Sequence, residues 1–235
     1  YVVFEDFALE KYGNRIPNFT FEVKRKLVPQ DGVASKVEAV CIIPASGEFV
    51  YDTIVQNKIV GEEVDGQFVQ TGKKEPINKN NHLQIADVNL SLDQLKKDLP
   101  NTSWVSVAVG WFATSLDAAT ATILPGVEYN YPSITEPDLW AVAGFNRSTA
   151  HLISSVDGHV QYGGTPSDAS VVRLVTELKT RGYNVLFYPF VFVDAPNKPW
   201  RGRITGSHGD VASFFTRTNG YNEFVNHYAS LVGSL

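Results

Sequence analysis

The sequence predicts an α/β protein built around parallel strands, and three apolar segments carry that prediction. Residues 37–43, 104–112 and 185–193 are each apolar at both alternating positions and rich in β-branched and aromatic side chains. This pattern is typical of strands that are buried on both faces of a parallel sheet. Each segment is followed by enough chain for a crossover connection, as parallel pairing requires.

The third strand is preceded by the clearest helix in the sequence. Thr165 is the predicted N-cap, Pro166 occupies the first helical position, and Asp168 follows the cap by three residues, where a carboxylate meets free backbone amides. Apolar residues then recur at the spacing of one helix face, and Gly182 provides a left-handed stop. We expect this helix to span about 166–181.

The other predicted elements are shorter. A hairpin is indicated by an Asp-Gly dipeptide between two apolar patches, and a short helix by a serine N-cap with glutamine three residues later. In chain order we expect an inserted hairpin and loop at about 51–87 with its turn at Asp65-Gly66, a helix that begins at Ser91 and ends at Pro100, a β excursion over 113–162, and a helix over 211–232 with a break near Asn219-Gly220.

Length sets a limit on the architecture. An eight-stranded (β/α) barrel takes about 250 residues with short loops, and this chain of 235 residues contains about three strand-and-crossover units. We therefore expect that the chain cannot close a barrel alone. Because it begins at Tyr1 and contains no methionine, we also expect it to be an excerpt of a longer protein.

Charge and composition limit the functional classes. The formal net charge is -5, and a nucleic-acid binder needs a basic face for phosphate contacts, so no nucleic-acid partner is expected. Cys41 is the single cysteine, which excludes an intrachain disulfide. No apolar run approaches the roughly 18 residues of a membrane helix, so no membrane span is expected. The five histidines lack metal-ligand spacing, so neither a metal nor a cofactor is expected.

Seven segments, spread over most of the chain, carry a family resemblance. They are YVVFEDFALEKYGNRIPNFTFEV at the start, then IIPASGEFVYDT, SLDQLKKDLPN, VSVAVGWF, YGGTPSDASVV, LFYPFVFVD and PWRGRIT. In this order they resemble the gene transfer agent and phage tail-tip hub proteins that carry a glycoside-hydrolase TIM-barrel-like domain.

The resemblance implies a domain organisation and a location. Residues 1–28 would end a preceding β-rich tail-hub domain, and residues 36–235 would form the N-terminal portion of the barrel-like domain, with β insertions. The protein would be made in the bacterial cytoplasm and would act at the tail tip of a virion or gene-transfer-agent particle. Its implied partners are other hub subunits in a homo-oligomer, tail-tube and distal tail proteins, and envelope glycan.

Glu48 and Asp194 are the candidate catalytic residues, because each lies just beyond the carboxyl end of a predicted strand. Hydrolysis of a glycoside needs two carboxyl groups that flank the bond. Both could instead be structural, paired with Arg201 or Arg203. The resembling family continues to a Gly-Ser-Glu-Leu run where this sequence ends Gly233-Ser234-Leu235, so one usual catalytic position has no carboxylate here.

Five further residues are candidates for substrate binding. Trp111, Tyr188 and Trp200 offer aromatic faces on which a sugar ring could stack, although the first two lie within strands, where a core role is the alternative. Arg201 and Arg203 could bind a carboxylate or phosphate through two hydrogen bonds, or close the loop by a salt bridge.

Three functional hypotheses follow. The first is a structural component of a tail-tip (baseplate) hub, which acts in envelope contact and DNA delivery. The second is an active glycoside hydrolase that degrades peptidoglycan or surface polysaccharide, for which a second catalytic carboxylate is not found in the sequence. The third is a non-catalytic glycan-binding module, for which Trp200 is the best feature.

Overall fold

The structure is a computed structural model, which describes residue 22 and residues 32–44, 47–65, 67–117, 119–130, 134–195, 218–233 and 235. The predicted β-rich segment 1–28 therefore lies outside the described residues, except for Glu22. The chain has mixed α/β structure, as predicted, and the described residues form no closed barrel.

A short 3-10 turn (Val33–Lys36) precedes the first strand. In chain order the strands and α-helices of the described residues are β1 (Ala39–Ile42), β2 (Asn57–Val64), β3 (Gln67–Pro76), α1 (Asp87–Asp98), β4 (Trp104–Ala113), β5 (Ile123–Leu124), β6 (Gly126–Val127), β7 (Thr135–Glu136), β8 (His151–Leu152), β9 (Ser155–Val156), β10 (His159–Val160), α2 (Asp168–Thr180), β11 (Asn184–Val193) and α3 (Tyr221–Gly233).

The main sheet confirms the predicted parallel pairing. β4 lies at its centre, with β1 parallel on one side and β11 parallel along its whole length on the other. The short β5 pairs antiparallel with the last two residues of β4. Because α1 connects β1 to β4 and α2 connects β4 to β11, the three carboxyl ends meet at one edge of the sheet, which we call the carboxyl edge.

All three α-helices of the described residues pack on one face of this sheet. Val105, Val107 and Val109 of β4 point to that face and belong to one buried cluster with Leu174 of α2 and Tyr228 of α3. Val88 and Leu92 of α1 join the same cluster. Burial of these apolar side chains stabilises the sheet-and-helix layer by about 1.5 to 3 kcal/mol for each large residue.

The opposite face of the sheet, which we call the open face, is apolar, and described residues cover only its carboxyl end, where Phe112 packs against His151 and Tyr162. Ile43, Trp104, Leu186 and Tyr188 lie on it and are 65%, 49%, 57% and 55% exposed. Two-sided burial, predicted for all three strands, is therefore confirmed for β4 from its fourth residue onward but is wrong for β1 and β11. The physical reason is position, because β1 and β11 are edge strands, whereas β4 is central and the β excursion covers the carboxyl end of its second face.

The free edge of β11 contains a proline. Asn184 and Asp194 donate their amides to carbonyls of the β4 side, Ser103 and Ala113, so residues of the same parity point their amides towards β4. Pro189 has the opposite parity and lies at the free edge, where a missing N–H breaks no bond of the described sheet.

Both predicted helix starts need correction. α2 begins at Asp168, and its N-cap is Ser167. Thr165 is not the cap, because its hydroxyl donates to the carbonyl of Gly110 at 2.8 Å. α1 begins at Asp87, so Ser91 lies inside the helix and donates to the Asp87 carbonyl at 2.9 Å instead of capping it.

The insertions follow the predicted outline. β2 and β3 form the expected hairpin, and β7 adds a third strand to it. Residues 113–162 contain the expected β excursion as short strands, including a β9–β10 hairpin at Asp157-Gly158. α3 begins after Gly220, as expected, and the predicted stretch 211–217 lies outside the described residues. Among the described helices, none has the length and apolar character needed to cross a membrane.

Candidate functional site

The structure places four of the seven sequence-predicted site residues. Glu48 follows β1 and Asp194 follows β11, so both lie at the carboxyl edge. Trp111 lies in β4 and Tyr188 in β11. The other three predicted residues lie outside the described residues: Trp200, Arg201 and Arg203.

Glu48 is a buried carboxylate held by an arginine. Only 4% of the residue is exposed, and both carboxyl oxygens accept hydrogen bonds from the Arg147 guanidinium, one of them at 2.8 Å from Nη1. The backbone amide of Glu128 donates to the same Oε1 at 3.0 Å. Burial raises the pKa of the Glu48 carboxyl above its ordinary value, although Arg147 and the Glu128 amide oppose that rise.

Glu128 is a second carboxylate beside Glu48, and the sequence analysis did not identify it. Its Oε1 accepts the backbone amides of Gly47 and Gly164, each at 3.0 Å. Among the described residues no hydrogen-bond donor reaches its Oε2. Gly164 is tightly confined, because a Cβ at that position would lie 2.5 Å from Cγ of Glu48. The two glutamates therefore share a small, closely packed part of the carboxyl edge.

A cavity of about 410 Å³ opens beside these carboxylates. Phe49, Val50 and Ile77 form an apolar part of its wall. The described residues of its lining are Gly47, Glu48, Phe49, Val50, Ile77, Asn78, Asn80, Asp87, Glu128 and Tyr129. This combination of apolar wall and a few polar groups, in a volume of this size, is typical of small-molecule sites.

Asp87 supplies the third carboxylate of the cavity. It is the first residue of α1 and accepts hydrogen bonds from the Asn80 amide groups and from Asn81. Burial alone would raise the pKa of Asp87, but these hydrogen bonds lower it below its ordinary value. Asp87 is therefore ionised at pH 7, and its hydrogen-bond partners, the amide groups of Asn80 and Asn81, carry no charge.

Asp194 has a different environment from Glu48. Its Oδ2 accepts hydrogen bonds from Nε2 of His151 and from the amide of Ser154, both at 2.8 Å, and its Oδ1 accepts the Ser154 hydroxyl at 2.5 Å. Burial opposes ionisation, but the hydrogen bonds from His151 and Ser154 outweigh it and lower the pKa of Asp194. The aspartate fixes the β excursion to the end of β11.

The cluster of Asp194, His151 and Ser154 contains the residue types of a hydrolase triad but not its geometry. A nucleophilic serine must hydrogen-bond to the histidine that removes its proton. Here the Ser154 hydroxyl donates directly to Asp194 instead. This arrangement does not activate the serine, and the cluster is best described as an anchor.

The two aromatic candidates in the described strands differ in exposure. Trp111 has no exposed surface, donates its indole N–H to the Tyr228 hydroxyl at 2.9 Å, and packs edge-on against Phe145. Its ring has no free face on which a sugar could stack. Tyr188 lies on the open face and stacks with Phe190 at 6.0 Å between ring centroids, so its ring is accessible, although it is not part of the cavity lining.

Another buried ion-pair cluster supports the loop after β1. Asp52 has no exposed surface and accepts two hydrogen bonds from Arg173 of α2, at 2.7 and 2.5 Å. Arg173 also binds Asp138, and Gln56 donates to both aspartates. The hydrogen bonds that Arg173 donates to Asp52 are the main cause of the raised pKa of Arg173. This cluster fixes the loop that leads from Glu48 to β2.

The sequence analysis missed Arg147 and Glu128 for a common reason. Arg147 is 99 residues from its partner Glu48, and Glu128 is 80 residues from it. Neither belongs to a motif with fixed spacing. The only signal in the sequence was weak: both charged residues lie inside the irregular segment 113–162. A solvent-exposed position is the simpler explanation for a charged residue in such a segment. In the described part of the chain, no three His, Cys, Asp or Glu side chains group in a way that could hold a metal ion.

Comparison with known proteins gave no assignment: neither the protein-family models nor the curated proteins include a match to this chain.

The lowered pKa of Asp194 predicts an acid-sensitive contribution to stability. Because the folded pKa lies below the ordinary value of 3.8, this contribution is complete above about pH 5 and is lost as the pH falls through 3.8 to the folded pKa. Asp194→Asn should lower the free energy of unfolding at pH 7 by about 1.5 to 3 kcal/mol. The difference in free energy of unfolding between the variant and the unsubstituted protein should become smaller towards pH 3.

Urea unfolding at pH 7, 4 and 3 measures this effect, and Asp98→Asn is the control because Asp98 is exposed at the far end of α1. A deficit of equal size at all three pH values would contradict the assignment of Asp194.

Proposed function

We propose that this chain is part of a tail-tip (baseplate) hub protein of a phage-type or gene-transfer-agent particle. In this proposal residues 36–235 are the N-terminal portion of a TIM-barrel-like domain, which contacts the cell envelope during DNA delivery. Other hub subunits, tail-tube proteins and distal tail proteins are its partners. The seven resembling segments support this proposal.

The sheet topology is the observation that carries the barrel-like part of the proposal. The three parallel strands occur in chain order, and the described helices all lie on one face. Doubly wound sheets place helices on both faces, whereas (β/α) barrels place them only on the outside. The described topology is therefore of the kind that barrels use.

The open face also fits the interior of a barrel. Leu186, Tyr188, Phe190 and Phe192 alternate along β11 on that face, and barrel interiors are filled by layers of inward-pointing side chains. Further strands would cover these side chains and pair with the free edges of β1 and β11. Pro189 would leave one hydrogen bond missing at the β11 edge.

The carboxyl edge supports contact with carbohydrate rather than hydrolysis at the two predicted residues. Glu48 is engaged by Arg147 and Asp194 by His151 and Ser154, so neither predicted carboxylate has an open position. The cavity offers a different means of contact. Its carboxylates can accept hydrogen bonds from sugar hydroxyls, and its side-chain amides can also donate to them. Its apolar wall fits the apolar face of a sugar ring.

A glycoside hydrolase is the second candidate, favoured by the carboxylates of Glu48 and Glu128 in one cavity, and it requires Arg147 to release Glu48 when substrate binds. Both carboxylates line one cavity, and the Glu128 amide binds the Glu48 side chain. Hydrolysis of a glycoside needs two carboxyl groups, which lie about 5 to 9.5 Å apart in such enzymes. The second carboxylate that the sequence lacked would then be Glu128.

The hub proposal predicts where the protein is found. Antibodies raised against the 235-residue chain should label purified tailed particles at the distal end of the tail, as seen by immunogold electron microscopy. Labelling should disappear when the antibody is preincubated with the purified chain. Particles labelled along the tail shaft or on the head, or not labelled at all, would contradict the hub assignment.

The two functional candidates predict different results with purified peptidoglycan and surface polysaccharide. The non-catalytic function predicts no release of reducing ends above a heat-inactivated control by the folded chain. Hydrolysis would predict release that Glu48→Gln and Glu128→Gln each reduce by about 100-fold or more, whereas Asp98→Asn leaves it unchanged. Release that survives both glutamine substitutions would exclude this pair of residues as the catalytic carboxylates.

A further inference from the structure

The charge of the cavity at the carboxyl edge restricts the glycans that it can hold. Three carboxylates line it, from Glu48, Asp87 and Glu128, and no lysine or arginine is among the lining residues that the structure describes. Only Glu48 has a cationic partner in the described structure, which is Arg147. The other two carboxylates, Asp87 and Glu128, form no salt bridge with any described residue.

Of these two carboxylates, Glu128 is the one with an oxygen that accepts no hydrogen bond from a described residue. Two backbone amides fix its Oε1, which orients the carboxyl group without neutralising it. Its Oε2 has no donor among the described residues and is the open acceptor of the cavity. Asp87 stays ionised because amide groups of Asn80 and Asn81 hold it at the first turn of α1.

Two described cations that lie close to Tyr129 of the lining are already engaged. Arg147 binds both oxygens of Glu48 and lies over the Tyr129 ring, with its guanidinium carbon 4.0 Å from the ring centroid. Lys58 approaches the same ring, with Nζ 5.2 Å from the centroid, and has a further interaction. Neither residue lines the cavity.

We infer that this cavity prefers a sugar with a protonated amino group to the same sugar in its N-acetylated form, and that it disfavours sugars with a carboxylate. The inference rests on the proposed contact between this domain and envelope carbohydrate. An ammonium group beside Glu128 forms a charge-assisted hydrogen bond. An anionic sugar would instead place like charges together in a partly desolvated site, which opposes its binding.

The apolar part of the lining determines how such a sugar is oriented. Phe49, Val50 and Ile77 can cover the carbon-bearing face of a ring, while Glu128 and Asp87 bind groups at its edge. Discrimination thus comes from both an attractive contact for the amine and a repulsive one for the carboxylate.

The test measures binding of three oligosaccharides to the full 235-residue chain by isothermal titration calorimetry at about pH 6, where such amines are protonated. The probes are glucosamine tetramer, N-acetylglucosamine tetramer and galacturonic acid tetramer. We expect the amine to bind about 5 to 10 times more tightly than its acetylated form. The uronic acid should show no binding, and added salt should weaken the amine complex selectively.

Glu128→Gln tests the assigned residue with little change in shape. The glutamine Oε1 still accepts the amides of Gly47 and Gly164, but the open acceptor becomes a donor. The preference for the amine over its acetylated form should fall to about twofold or less, because one of the two uncompensated charges is lost. Asp98→Asn also removes one negative charge, but at the exposed end of α1 away from the cavity, and should keep the full preference.

The outcomes separate the two proposals. Equal binding of the amine and acetylated probes, or an unchanged preference in Glu128→Gln, would overturn the charge selectivity while carbohydrate contact stands. Absence of binding for all three probes, with a chain shown to be folded by circular dichroism, would overturn the selectivity and the proposed carbohydrate contact of this cavity. Tight binding of the galacturonic acid tetramer would contradict the charge argument directly.

Discussion

The buried carboxylate of Glu48 is the constraint on which the carboxyl edge depends. A charge removed from water must be paired and hydrogen-bonded, or it destabilises the fold by several kcal/mol. Glu48 meets this requirement through Arg147 and the Glu128 amide. Its own carbonyl accepts the amide of Ser167, the N-cap of α2. The loop after β1, the excursion and the start of α2 are thus fixed to each other at one residue.

The rest of the described chain divides between two kinds of stabilisation. The layer of β4 and the three α-helices depends on buried apolar side chains, with Trp111 and Tyr228 joined by a hydrogen bond inside it. The carboxyl edge instead depends on ion pairs and hydrogen bonds, at Glu48, Asp52 and Asp194. The apolar layer tolerates changes that keep the volume and pattern of its side chains, whereas the polar edge needs specific hydrogen-bond partners.

Sequence patterns predicted the strands and helices better than they predicted the burial and contacts of the side chains on them. The strand at 185–193 was located almost to the residue, but Tyr188 is exposed because an apolar side chain does not reveal whether another layer covers it. The start of α2 was misplaced because Thr165 and Ser167 both have cap-forming side chains, and tertiary contacts decide which one serves. The start of α1 was misplaced because its N-cap is Ala86, which has no capping side chain. Glu48 and Asp194 were found from their positions after strands. Arg147 and Glu128 were not, because only folding brings distant parts of an irregular segment to Glu48.

The most direct measurement of this account is the free energy of unfolding of Arg147→Met, compared with that of the double variant Arg147→Met and Glu48→Gln. If Glu48 depends on Arg147, the single variant leaves a buried charge unpaired and loses about 3 to 5 kcal/mol, and the double variant recovers much of that loss. Arg181→Met, which removes the more exposed ion pairs of Arg181 with Asp93 and Glu177, should cost about 1 kcal/mol or less. A loss below about 0.5 kcal/mol for Arg147→Met, the range of ordinary surface substitutions, would contradict the central role of this ion pair.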